Sequence, residues 1–130
     1  MKLDLDCIRD TLLSLEENLQ LGEDLRYPDF YLDDLLALPS MQAYSRPTVA
    51  YTVLKLEEGG FLYASYIEGD DGFNDILLLG ISYSGHQLLE HIRPTSVWQS
   101  TQRAAKKVGS YAINFILDVA SSILSSSLSS

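Results

Sequence analysis

Near the start of the chain, Leu5, Ile8, Leu12, Leu15 and Leu19 recur at alternating steps of three and four. That spacing places them on one face of an α-helix, with Asp4 or Asp6 where an N-cap is needed. A polar link, GEDLRYPDF, follows. Tyr31, Leu35 and Leu36 then predict a short second helix that Pro39 ends. A third helix is expected over Ser45 to Glu58, with Pro47 in its first turn, where a missing N–H costs nothing, and Gly59-Gly60 as its stop. Val49, Ala50, Val53, Leu54 and Leu56 would form its buried side. Thr48, Tyr51, Thr52, Lys55 and Glu58 would face out.

Beyond that stop the period changes. FLYASYIE reads as a strand, GDDGFN as a turn, and DILLLGISY, from Asp75 to Tyr83, as a returning strand that is largely buried. Three helices followed by a hairpin is the order of a winged helix-turn-helix. The fold class expected is therefore α+β: three helices plus a two- or three-stranded wing over residues 1–93, with added C-terminal helices over 94–130.

The join ISYSGHQLLEHIR, Ile81 to Arg93, concentrates serines, histidines and a glutamate, and so invites a catalytic reading. Its spacings resist that reading. A nucleophile elbow needs Gly-x-Ser-x-Gly; Gly80 and Ser82 fit, but the next position is Ser84 and Gly85 comes one residue late. His86 and His91 are five apart, about 140° around a helix, so one metal ion cannot easily take both. A scaffolding role fits better: Ser84 and Gln87 have the spacing of a capping box, Tyr83 and Leu88 that of a hydrophobic staple, and Leu88, Leu89 and Ile92 form an inward stripe closed by Arg93-Pro94. No catalytic residue, metal ligand or cofactor is expected from this segment or elsewhere.

The tail carries an amphipathic pattern. Ser110, Asn114, Asp118, Ser121 and Ser125 fall on one side, and Ala112, Ile113, Ile116, Leu117, Val119, Ala120, Ile123 and Leu124 on the other. Asp118 and the recurring serines argue against a membrane span. The apolar side is expected either to pack back on its own domain or, the reading favoured here, to form a homodimer seam. Interfacial membrane binding aided by Arg103, Lys106 and Lys107 is a third and weaker option.

Composition alters this picture in one respect. With 130 residues, 46% hydrophobic and 21% charged, the chain suits a single soluble domain. Its charge is the unusual feature, at −9 from 18 acids and 9 bases. Residues 1–40 hold ten acids and three bases, whereas residues 101–130 hold one acid and three bases. The single cysteine, Cys7, cannot form an internal disulfide, and no charged n-region followed by an apolar h-region opens the sequence, so a reducing cytoplasm is expected.

Four stretches, MKLDLDCIRDTLLSLEEN, VAYTVLKLEEGGFL, LGISYSGHQLLEHIR and VWQSTQRAAKKVG, together resemble a family of uncharacterised, often phage- or prophage-encoded winged-helix proteins. The family pattern at the join is Leu-Thr-x-x-Gly-His-x-Phe-Leu-x-x-Ile-Arg followed shortly by Trp. Here Ile81 and Ser82 stand for Leu-Thr, and Leu88 and Leu89 for Phe-Leu, while Gly85, His86, Ile92, Arg93 and Trp98 match. The resemblance implies a fold and a phage setting, and no activity.

Phosphate contacts require a basic face. The third helix offers one base, Lys55, against Glu58, with Arg46 at its start, and Glu68, Asp70, Asp71 and Asp75 crowd the wing without a Lys or Arg among them. The expected function is therefore a non-enzymatic protein-interaction module, an accessory or counter-defence factor docking a basic protein through Glu68, Asp70, Asp71, Asp75, Thr48, Tyr51, Thr52 and Lys55. A dimeric DNA-binding transcriptional regulator is the alternative.

Overall fold

The computed structural model describes residues 1–109 and 112–129. Asp4 caps the first helix, α1 (Leu5–Asn18), its carboxylate accepting from the Cys7 amide at 3.1 Å. The predicted stripe of Leu5, Ile8, Leu12, Leu15 and Leu19 is buried throughout. At about 1.5–3 kcal/mol per buried aliphatic side chain, these five residues anchor the core.

Helix α2 (Leu32–Leu36) begins one residue later than its pattern suggests, because Tyr31 is its N-cap and Leu32, not Tyr31, turns inward with Leu35. Pro39 does not simply end it but opens a 3-10 turn, Pro39–Met41, that buries Met41. Helix α3 (Arg46–Glu58) starts from Ser45, whose hydroxyl accepts from the Thr48 amide. Its buried stripe is Val49, Thr52, Val53 and Leu56, whereas Ala50 and Leu54 are only partly covered. Thr52 therefore faces inward, contrary to the outward position expected of it. Its hydroxyl donates to the Thr48 carbonyl at 2.8 Å, which satisfies the polar atom inside the helix and leaves the methyl group to pack.

The hairpin comprises β1 (Leu62–Gly69) and β2 (Gly72–Ile81), paired antiparallel from Leu62↔Ile81 to Gly69↔Gly72. The turn is thus only Asp70-Asp71; Gly72, at φ 100°, lets the chain return at once. An isolated bridge, Tyr31↔Leu77, adds a short third segment beside β2, where the Leu78 amide donates to the Phe30 carbonyl at 2.8 Å.

Three further helices follow, α4 (Tyr83–Ile92), α5 (Thr95–Val108) and α6 (Ile113–Ser129). Among the described residues the architecture is α+β, with six α-helices and one two-stranded sheet. Trp98 of α5 is buried and donates its Nε1–H to Asp6 of α1 at 3.1 Å. Ile113, Ile116 and Ala120 of α6 join the same buried cluster as α1, and α6 packs on α4 and α5. Of the apolar stripe expected to form a seam between two copies, Ile113, Ile116 and Ala120 are thus buried within the chain, whereas Ala112 is exposed and Leu117, Val119, Ile123 and Leu124 are only partly covered; Ser110, placed on its polar side, lies outside the described residues. Among the described residues no helix is long and apolar enough to cross a membrane.

Candidate docking surface

The join Ile81–Arg93 resolves into structural roles, residue by residue. The N-cap of α4 is Ser82, two residues ahead of the expected Ser84. Its hydroxyl accepts from the Gly85 amide at 3.0 Å and donates to the Gly60 carbonyl at 2.5 Å. The tertiary acceptor favours Ser82, whose hydroxyl both caps α4 and ties it to the carbonyl that follows α3. Ser84 is exposed, and Tyr83, 78% exposed, staples nothing.

Gly85 is required by proximity, since a Cβ built there would lie 1.9 Å from the Phe61 carbonyl oxygen. Leu88, Leu89 and Ile92 are fully buried. Arg93 forks onto Glu16 of α1 at 2.8 and 2.6 Å and also reaches Glu90. The Arg93 hydrogen bonds hold the Glu16 carboxyl below its ordinary range and push the Arg93 guanidinium further up. Arg9 donates to the Ile92 and Arg93 carbonyls, closing the free end of α4. His91 Nδ1 lies 2.6 Å from the Gln87 carbonyl, and His86 is exposed beside an open cleft of about 300 Å³ lined by Leu15, Glu16, Leu21, Tyr27 and Ile81. With Ser82 committed to two hydrogen bonds and the histidines on different sides of α4, the join assembles no nucleophile and base.

The acidic residues of the hairpin are arranged differently. Asp70 and Asp71 form its tip and Glu68 precedes it, all exposed. Asp75 lies opposite Ile67, partly buried, and caps its own neighbour by accepting from the Ile76 amide at 2.8 Å. Among the described residues no cation pairs with any of the four.

Both ends of α3 are tied to this hairpin. At its start Arg46 donates to the Asn74 carbonyl at 2.5 Å and pairs with Asp33 of α2 at 3.3 Å. At its end Glu57 accepts from the Tyr66 hydroxyl at 3.0 Å, and burial followed by this bond raises the Tyr66 phenol. Lys55 is bound to Glu58 at 3.0 Å, lies 5.6 Å from the Tyr51 ring centre, and is raised by the Glu58 bond. Thr48 and Tyr51 are partly exposed. Of the residues expected here, Glu68, Asp70 and Asp71 are exposed and Asp75, Thr48, Tyr51 and Lys55 partly so, on the hairpin and on α3, while Thr52 is buried. Sequence reasoning did not foresee Glu57, Tyr66, Asp33 or Asn74 here; only the alternation of β1 hints at Tyr66.

Residues 2–111, from α1 through α5, match a family described as hypothetical protein (DUF2513). The chain belongs to this family. Neither the curated proteins nor the solved structures gave a match. The DUF2513 segment contains both the acidic hairpin and the join at Ile81–Arg93, and ends before α6.

Proposed function

We propose that this DUF2513 protein is a non-enzymatic interaction module of winged-helix type, belonging to a phage or prophage, that docks a basic protein through the hairpin and α3. The winged-helix reading of residues 1–93 draws support from the element order and from the Tyr31↔Leu77 bridge, which would be the third strand of the wing. The phage setting rests on the resemblance at the join.

One observation carries the functional reading. Every cation on the α3 and hairpin surface is already engaged, Arg46 by Asp33 and Asn74 and Lys55 by Glu58, while Glu68, Asp70 and Asp71 have no counter-charge among the described residues. Phosphates approaching this face would meet uncompensated carboxylates, whereas a basic protein would be steered in. The chain order itself favours the second reading, a dimeric regulator bound to DNA, since a helix followed by a wing often reads DNA.

The test is the triple variant Asp70→Asn, Asp71→Asn, Asp75→Asn, measured against a partner captured from host lysate and against duplex DNA. The module predicts slower association with the partner and a wild-type affinity that falls with salt. A gain on DNA with no loss on the protein partner contradicts it.

A further inference from the structure

The sheet has one side closed and one side open. On the β2 side, the segment at Phe30 and Tyr31 pairs with Leu77 and Leu78; on the β1 side, no strand lies among the described residues. The direction of each peptide group follows from two contacts. Because the Leu78 amide donates to Phe30, its neighbour Leu77 points toward β1, and so its partner Ser65 points back toward β2. Gly69, which flanks a two-residue turn, also points toward β2. Alternation then turns the peptide groups of Ala64, Tyr66 and Glu68 toward the outer edge.

Natural sheets protect such an edge with lysine, proline or a covering element. LYASYIEG contains neither lysine nor proline, and its register irregularities fall outside the stretch from Ala64 to Ile67. Carboxylates lie along this edge strand: Glu57 accepts from the hydroxyl of Tyr66, Glu68 belongs to the strand itself, and Asp70 and Asp71 form the tip. A second copy of the same edge would bring like charges together in a chain already at −9.

We propose that β1 is a docking edge to which a basic partner adds an extended strand bearing lysine or arginine at alternate positions, its main chain bonding Ala64 and Glu68. This rests on the interaction-module reading and specifies the conformation and charge of what is bound. Main-chain bonds would give affinity and the carboxylates would select the charge.

The probe is a ten-residue peptide of alternating lysine and valine, with its glutamate–valine counterpart as control, added to the full-length ¹⁵N-labelled chain. At millimolar lysine–valine peptide, amide exchange at Ala64 and Glu68 should slow at least tenfold. Ser65 and Ile67, whose amides already face β2, should not change, and the control peptide should do nothing. Ala64→Pro, which removes an outward N–H without touching the ladder to β2, should weaken binding at least tenfold. Failure of Ala64 and Glu68 to slow overturns strand addition. If the lysine–valine peptide then still binds and shifts only the Asp70-Asp71 tip, the module reading survives; if it does not bind at all while a duplex DNA does, both fail.

Discussion

Replacing Gly85 by alanine gives opposite signs for local and tertiary reasoning. Within a helix, alanine is favoured over glycine by about 1 kcal/mol, so propensity alone predicts stabilisation. The added Cβ, however, would stand 1.9 Å from the Phe61 oxygen and 2.7 Å from Ile81 Cγ2. Ordinary carbon contacts begin at about 3.5 Å, so α4 or the start of β1 must move by roughly 1.5 Å. That movement strains a buried contact, at about 1–3 kcal/mol for overpacking, and loosens the bond from the Ser82 amide to the same Phe61 carbonyl, 3.2 Å long, for about 1 kcal/mol more. The net loss is about 1–3 kcal/mol after the propensity gain. With an unfolding entropy of about 2.1 cal/mol/K per residue, 130 residues convert this to a fall in Tm of about 4–11 °C. Thermal unfolding followed by circular dichroism measures it. An unchanged Tm, or the rise of about 4 °C that propensity alone would give, refutes the close-approach argument.

Other substitutions test neighbouring contacts. Ser82→Ala should lose about 1–2 kcal/mol through the cap and the Gly60 bond, while the exposed Ser84→Ala stays within about 0.5 kcal/mol of wild type; denaturant titration compares them, and equal losses would restore the cap to Ser84. Because the Glu16 carboxyl is held below its unfolded value by Arg93, its contribution is present above about pH 4.3 and disappears as pH falls through the folded value. Glu16→Gln should therefore cost up to about 1 kcal/mol at pH 7 for this partly exposed pair and progressively less as the pH is lowered below about 4.3, as read from urea unfolding across that range. Asp6→Ala, which strips the acceptor from Trp98 and Gln102, should cost about 1–2 kcal/mol, and a stability equal to wild type would deny that joint a role.

Elements governed by local period were legible in the sequence. The α1 stripe and the Leu88, Leu89, Ile92 stripe depend only on helical phase, and both are buried as read. Where a distant atom decided, the local rule failed. Ser84 with Gln87 satisfies a capping pattern, but the Gly60 carbonyl, 22 positions before Ser82 in sequence, selected Ser82 instead. Thr52 reads as polar and so as outward, but a hydroxyl bonded to its own helix is compatible with burial. GDDGFN reads as a six-residue turn, yet Gly72 tolerates a positive φ and shortens it to two. The carboxylates of the hairpin were visible as charge alone. That α3 is tied to the hairpin at both ends was not, because Arg46–Asn74 and Glu57–Tyr66 are contacts between elements with no shared period.

Titration of a fluorescent 20-base-pair duplex with the wild-type protein at low salt tests the central claim most directly. Screening is weakest there, so any phosphate-binding face would be most evident. The account predicts no saturable binding, because no free cation lies on α3 or the hairpin among the described residues. Saturable binding whose affinity falls linearly in log salt, and which is lost on replacing Arg46 or Lys55, would contradict it and establish a DNA-binding face.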